Sequence, residues 1–181
     1  MTRGVIWALA IGLLLSVCSC NESGIKEKMS QILGQHIIIP YDKLEKRDCS
    51  LFGETYNIEK RFTLVLYTDG NQCVPCEIAS FSSLEKMNRN DSLWQELRKV
   101  YIFDVKPDNA TSLYMKLCKF RIEQDVFFDT CGVFRKSNPF IPDSKLYHSF
   151  ILDNNGTVKL IGNPFKNEKL RHLLSTIIKE H

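Results

Sequence analysis

Two kinds of hydrophobic pattern alternate along most of the chain. Dense apolar runs, typical of buried strands, occupy residues 62–68, 100–105, 126–129, 149–153 and 157–161. Elsewhere apolar side chains recur every three or four positions, which is typical of amphipathic helices. This second pattern predicts helices at 25–33, 74–88, 91–99, 109–120 and 167–179. Residues 36–40 form a further strand candidate, and the charged stretch 42–58 is interpreted as a loop.

The order of these elements predicts how the strands pair. A strand–helix–strand–helix–strand series favours parallel pairing, because each crossover helix returns the chain to the same end of the sheet. The last two strands differ, because they flank Asn154-Asn155-Gly156, which is a β-hairpin signal. We therefore expect an α/β fold with a mixed central sheet flanked by helices.

The amino end carries a different pattern. Residues 5–17 are apolar except for Gly12 and Ser16, and Arg3 supplies a positive charge before them. A run of 13 residues is short for a membrane-spanning helix, which needs about 20, and matches the core of a signal peptide. The sequence therefore predicts an exported protein, in a compartment where disulfides persist.

Composition and charge exclude several classes of protein. The 181 residues are 44% hydrophobic and 25% charged, which is an ordinary globular composition and not that of a disordered tail, a fibre or a polytopic membrane protein. The length suits one domain. The net charge is only +3 and the charges are interspersed, so we expect no nucleic-acid partner.

The placement of two of the seven cysteines predicts chemistry. Cys73-Val74-Pro75-Cys76 lies where the strand at 62–68 leads into the helix at 74–88. Unpaired N–H groups and the helix dipole at such a position favour thiolate over thiol. The spacing lets both sulfurs meet within one turn, and Pro75 is tolerated there because a first-turn N–H has no helical partner.

The predicted reaction is thiol–disulfide exchange. We expect Cys73, as the residue nearer the surface, to attack a substrate disulfide, and Cys76 to resolve the mixed disulfide. Such exchange needs no diffusible cofactor, because the electrons come from a partner dithiol. The substrates expected are therefore exported protein thiols or disulfides.

The end of the leader resembles the lipobox of bacterial lipoproteins. Val17-Cys18-Ser19-Cys20 fits that pattern, whereas Leu15-Ser16-Val17-Cys18 fits less well because Val17 is bulky for its position. The resemblance implies a signal peptide at 1–19, a lipidated Cys20 and a lipid-anchored protein of the bacterial cell envelope, facing the periplasm or the cell surface. Residues 20–36 are then a tether with a short helix, and 37–181 the folded domain. A plain secretory signal, with Cys20 an ordinary thiol, is the alternative.

The strand–CxxC–helix unit and the closing hairpin resemble the thioredoxin superfamily. The residues that carry the resemblance are Leu64–Tyr67, Cys73-Val74-Pro75-Cys76 and Phe150–Gly156 with the strand after it. They are most similar to exported, membrane-tethered thioredoxin-like proteins of the TlpA/ResA type. The resemblance implies a thioredoxin-like domain over residues 37–178 and a redox-active disulfide. It also implies a membrane or periplasmic redox protein as the partner that supplies the electrons.

Three positions depart from the pattern of that superfamily. Family members carry a cis-proline before the strand that corresponds to 150–153, and the alignment puts His148 there. The strand before the motif has no buried carboxylate, so Glu77 and Asp69 are the nearest acids in sequence. Gln72 stands where a tryptophan often precedes the first cysteine. Val74, Pro75, Glu77 and His148 are thus supporting candidates around the two cysteines.

Other interpretations remain open at this stage. A thioredoxin-fold binding lipoprotein that has lost turnover fits the departures, with His148 then a loop residue near the surface. A zinc site lacks a second pair of ligands, and a peroxidase lacks the threonine and arginine that would support its cysteine. Cys118 is interpreted as a small apolar core residue. A structural disulfide among Cys49, Cys118 and Cys131 has three pairings, between which the sequence does not choose.

Overall fold

The computed structural model of the chain describes residues 24–47, 60–120, 122 and 124–180. Within these ranges, helix α1 covers residues 24–32 and is followed by α2 (Val74–Asn88), α3 (Ser92–Gln95), α4 (Pro107–Phe120), α5 (Val133–Ser137) and α6 (Glu168–Glu180). The strands are β1 (Glu45–Arg47), β2 (Phe62–Thr68), β3 (Leu97–Asp104), β4 (Asp125–Asp129), β5 (Ser149–Asp153) and β6 (Val158–Ile161). Short 3₁₀ turns lie at Lys145–Tyr147 and Pro164–Lys166.

The six strands form one mixed sheet in the order β1-β4-β3-β2-β5-β6. Strands β2, β3 and β4 are parallel, whereas β1 is antiparallel to β4, β5 to β2 and β6 to β5. This confirms the mixed sheet flanked by helices, with parallel early strands and a closing hairpin. In the register of the sheet, Asp104 lies opposite Asp129 and Thr68 opposite Phe103, so the carboxyl ends of the parallel strands share one edge.

Strand β2 is buried on both faces, as its continuous apolar sequence predicts. Leu64 and Leu66 point into a cluster shared with α2 and α4, while Val65 and Tyr67 point into a second cluster on the opposite face. This alternation is the two-residue period of a strand. Because β2 lies between β3 and β5, the chain leaves the sheet near its middle when it enters the loop that leads to α2.

Several predicted bounds are confirmed and others are corrected. Strands β2 and β5 and helix α2 have the expected bounds. The helix expected at 91–99 is limited to Ser92–Gln95, because the chain enters β3 at Leu97, three residues earlier than predicted. The stretch interpreted as a loop contains β1, while its residues 48–58 lie outside the described ranges.

The strand expected at residues 36–40 does not form. Of these five residues, only His36 makes a β-bridge, to Thr157. The backbone of Ile38 hydrogen-bonds with the side chain of Asn138 and not with a neighbouring strand. The leader at 1–19 and Cys20 are not among the described residues. In the part of the chain that is described, no helix has the length and apolar character that a membrane crossing requires.

Candidate active site

The Cys73-Val74-Pro75-Cys76 motif lies at the amino end of α2. Cys73 is the N-cap residue, and its carbonyl oxygen accepts hydrogen bonds from the backbone N–H groups of Cys76 at 2.9 Å and Glu77 at 3.0 Å. The two cysteines are joined by a disulfide, with their Cα atoms 5.3 Å apart. Both are exposed, so their burial does not distinguish the attacking sulfur from the resolving one, and the assignment of Cys73 as nucleophile stays a prediction.

The supporting residues of the motif follow from its place in the helix. Val74 is buried and turns into the core, whereas Pro75 is half-buried in the first turn. Glu77 is also half-buried, in the first turn, where a negative charge suits the helix dipole.

A turn held by Asp69 brings the chain from β2 to Cys73. A carboxylate oxygen of Asp69 accepts the N–H of Asn71 at 2.8 Å, and its carbonyl accepts that of Gln72 at 3.0 Å. Asp69 and Asn71 form the kind of turn in which a short acidic side chain takes a backbone N–H two residues on. Asp69 therefore shapes the loop that presents the motif.

Three carboxylates occupy the carboxyl ends of the parallel strands. Asp69 follows β2, and Asp104 and Asp129 end β3 and β4. Asp129 is fully buried, and its side chain accepts N–H groups of Val133 at 2.9 Å and Phe134 at 2.8 Å. Its carboxylate thus anchors the start of α5.

Asp104 is the acid that sequence reasoning missed. A Cβ placed on Gly70 would lie 3.5 Å from its carboxyl group, so Asp104 packs against the loop before Cys73. Burial raises the pKa of this carboxyl, the charge of Asp129 raises it further, and the N–H of Gly70 opposes the shift. The sequence feature that could have revealed Asp104 is a single acid at the end of an apolar strand. Parallel strands end at the same edge of the sheet, so an acid at the end of β3 lies near the end of β2.

His148 is buried and not a surface loop residue. It directly precedes β5, and its carbonyl accepts the N–H of Tyr67 at 2.9 Å. Its Nε2 lies 3.0 Å from the Pro142 carbonyl oxygen, which can only accept, so Nε2 carries the hydrogen. Nδ1 is then the acceptor for the Gln72 side-chain amide, 3.2 Å away.

The surroundings of His148 favour the neutral imidazole. Burial lowers its pKa, while the Pro142 carbonyl and the Asp69 carboxylate, 3.8 Å from Nδ1, oppose that shift. The Tyr67 ring packs edge-on against it with the ring centres 5.0 Å apart. Through Gln72, the residue before Cys73, this histidine is linked to the motif.

A cavity of about 340 Å³ lies beside Cys73. Cys73, Val74 and Pro75 form one wall, and residues of the β3–α4 loop and of α4 form the other. Asp104 lines it as well. The disulfide is therefore next to a concave surface large enough to take part of a substrate.

Two further cysteines, Cys118 and Cys131, lie within the described residues, and neither lines the cavity beside Cys73. Cys131 is free and exposed, which removes the two pairings that include it. Cys118 is disulfide-bonded, which corrects its interpretation as a small apolar core residue, and Cys49 lies beyond the described ranges. Among the residues that the structure describes, no group of three His, Cys, Asp or Glu side chains is arranged to hold a metal ion.

Comparison with known proteins identifies the fold. No protein-family model and no curated protein matches the chain. Among solved structures, it is similar to a thioredoxin-like protein in its oxidised form, with a TM-score of 0.50, 13% identity, and 82% of this chain and 99% of that one covered. It is also similar to a domain of a possible thiol-disulfide isomerase from Cytophaga hutchinsonii, with a TM-score of 0.50, 13% identity, and coverages of 82% and 97%.

The fold is thioredoxin-like. The match covers nearly the whole length of both solved structures, so the likeness concerns a complete thioredoxin-like domain and not one motif. At 13% identity it shows the fold alone, and function has to be argued from the residues of the site.

Proposed function

We propose that the protein is a membrane-anchored thiol–disulfide oxidoreductase of the TlpA/ResA type that acts outside the cytosol. The observation that carries this proposal is the exposed disulfide between Cys73 and Cys76 at the amino end of α2. An accessible disulfide at a helix start is able to exchange, because the thiolate released on reduction is favoured by the helix dipole and by unpaired N–H groups.

The exchange transfers two electrons in two steps. In the reduced protein the Cys73 thiolate attacks one sulfur of a substrate disulfide, forming a mixed disulfide and releasing the other sulfur as a thiolate. Cys76, after losing its proton, attacks the Cys73 sulfur, which forms the intramolecular disulfide and releases the second substrate thiol. A partner dithiol then reduces the Cys73–Cys76 disulfide. One partner thiolate attacks this disulfide, and the second partner thiol resolves the mixed disulfide, which leaves the partner oxidised.

The roles of the two cysteines rest on their places in the helix. Cys73 is the N-cap residue and lines the cavity, so it is the sulfur that a bound substrate meets. Cys76 lies in the first turn and does not line that cavity, which suits a resolving thiol.

His148 takes the place of the family's cis-proline in this proposal. Its support is that it directly precedes β5 and hydrogen-bonds Gln72, next to Cys73. A buried side chain fixed by two hydrogen bonds is able to hold the substrate-side loop in place, which is the role proposed for it.

A turnover assay tests the proposed reaction. The reduced protein, supplied with a dithiol, is expected to reduce the interchain disulfides of insulin. Cys73→Ser is expected to abolish turnover, and Cys76→Ser to stop at a mixed disulfide that gel electrophoresis detects without reductant. Cys131→Ser is the matched control and keeps the wild-type rate.

Two outcomes would contradict the proposal. Turnover by Cys73→Ser at the wild-type rate would remove the assigned nucleophile. A wild-type protein that cycles its own disulfide but reduces no substrate would instead favour the binding lipoprotein without turnover.

The membrane anchor is a separate part of the proposal and rests on the lipobox resemblance at Val17–Cys20. Cells that express the full chain are expected to incorporate a palmitate analogue into the protein, and Cys20→Ala to lose that label. Cys18→Ala is the control and keeps it. Equal labelling of Cys20→Ala and wild type would rule out Cys20 as the lipidated residue.

A further inference from the structure

The cavity beside Cys73 has an apolar base that the exchange reaction does not explain. Val74, Val105 and Leu113 line it and are themselves 7%, 3% and 4% exposed. At about 340 Å³ it is at the lower end of the range for small-ligand pockets. A protein substrate therefore fits it with only one or two side chains.

Positive charge flanks the same cavity. Lys106, before α4, and Lys116, on α4, both line it and are exposed. Neither takes part in any of the ion pairs found among the described residues. Among the described residues that line it, the one acid is Asp104, which is half-buried against Gly70. The exposed charged side chains among the described lining residues are therefore both lysines.

We propose that this cavity receives an acidic side chain next to the reacting cysteine of an extended protein substrate. The inference rests on the proposed function and adds a substrate class to it. Lys106 and Lys116 would pair with the substrate carboxylate, while Val105 and Leu113 would contact its methylene groups. Complementary charge of this kind acts mainly on the rate of association, which is the step that brings the substrate sulfur to Cys73.

A pair of peptides tests this preference. Each carries one cysteine as a mixed disulfide with uncharged thiopyridine, flanked by glutamate in one peptide and by lysine in the other. The protein used carries Cys76→Ser and Cys131→Ser, because the free, exposed Cys131 thiol would also release thiopyridine. Attack of its Cys73 thiolate on the peptide sulfur forms a protein–peptide disulfide and releases thiopyridine, which takes up a proton and is followed by absorbance. Mass spectrometry confirms the adduct on Cys73.

We expect the glutamate peptide to react about three- to tenfold faster than the lysine peptide at low salt, with a smaller difference at high salt. In the same background, the added pair Lys106→Glu and Lys116→Glu is expected to reverse the preference. The added pair Lys86→Glu and Lys179→Glu, at exposed lysines in the last turns of α2 and α6, makes the same change in net charge and is expected to keep it.

The outcomes separate this inference from the proposed function. Equal rates for the two peptides, or a glutamate preference that survives the reversal at Lys106 and Lys116, would overturn the inference and leave the exchange reaction standing. Failure of both peptides to react with Cys73 would overturn the proposed function and the inference with it.

Discussion

Asp104 and Cys73 line the same cavity, so the charge of this carboxylate lies on the substrate side of the motif. A neighbouring negative charge disfavours the thiolate form of a cysteine. The structure therefore opposes two influences at Cys73: the amino end of α2 favours the thiolate, and the Asp104 carboxylate disfavours it. Burial raises the pKa of Asp104, and the charges of Asp129 and Asp69 raise it further.

Asp104→Asn is expected to raise the thiolate fraction of Cys73 at weakly acidic pH by about threefold, because it removes the neighbouring charge without changing side-chain size. The measurement is the ultraviolet absorbance of the thiolate in a Cys76→Ser and Cys131→Ser background, where Cys73 is the free thiol of the site. Asp108→Asn, an exposed acid of the first turn of α4, is the control. An unchanged titration in Asp104→Asn would show that the carboxyl does not act on Cys73.

The same substitution predicts a pH dependence of stability. The folded-state pKa of Asp104 is raised above its ordinary value, so the folded protein holds this proton more tightly than the unfolded chain does. The stability that this group contributes is thus present at pH below its unfolded pKa and is lost as the pH rises through the folded pKa. Asp104→Asn should gain stability relative to wild type as the pH rises from about 4 toward neutrality, in urea unfolding of the oxidised proteins. A difference that stays constant with pH would contradict the assigned environment.

Residue-scale features were the hardest to predict from sequence. The placement of Cys73 and Cys76 at a strand–helix junction was readable, because both patterns are local. The contact of His148 with Gln72 was not, since it joins positions 76 residues apart and depends on the loop before β5. Asp104 was visible as an acid ending an apolar strand, but its closeness to Gly70 depends on the parallel register of β2 and β3.

At the scale of elements, the side chain of Asn138 takes the place of a partner strand for the backbone of Ile38. This side chain is fully buried after α5. It accepts the N–H of Ile38 at 2.8 Å and donates to the Ile38 carbonyl at 2.8 Å, as a partner strand would. It also donates to the Phe134 carbonyl at 2.8 Å. One amide thus ties the chain after α1 to the segment that leads toward His148.

Asn138→Ala is expected to lower the free energy of unfolding by about 2 kcal/mol, because the backbone groups of Ile38 lose their partners. Chemical denaturation of the oxidised protein measures the change. Asn90→Ala, an exposed turn residue, is the matched control and should stay within about 0.5 kcal/mol of wild type. Equal effects of the two substitutions would show that the Asn138 bridge does not stabilise the fold.

The elements that sequence patterns missed are short or held by side chains. Helix α5 has five residues and depends on Asp129, whose carboxylate takes the N–H groups of Val133 and Phe134. Strand β1 has three residues and exists through its pairing with β4. Neither carries enough periodic apolar residues to be distinguished from a loop. Strand β2 and helix α2 carry such patterns, and their bounds were predicted correctly.

For the whole molecule, the order of elements was sufficient to predict the mixed sheet. The hairpin of β5 and β6 and the parallel pairing of β2, β3 and β4 follow from local turn signals and crossover helices. The sequence did not place β1 at one edge of the sheet, because that pairing joins Glu45–Arg47 to residues about 80 positions later. The fold serves the proposed function mainly because it brings the carboxyl ends of three parallel strands and the amino end of α2 to one edge of the sheet.

A thiol titration in glutathione buffers tests most directly whether Cys73 and Cys76 form an exchangeable pair. After equilibration, alkylation and mass spectrometry report each thiol of the wild-type protein. Cys73 and Cys76 are expected to lose their free thiols together in a single two-electron transition, without Cys131 entering a disulfide with either. In Cys73→Ser, Cys76 is expected to form only glutathione adducts. The account is wrong if Cys73 and Cys76 of the wild type remain free thiols, and are therefore alkylated, across the whole range of buffers. It is also wrong if each of them forms only its own glutathione adduct, because the pair is then not a redox couple.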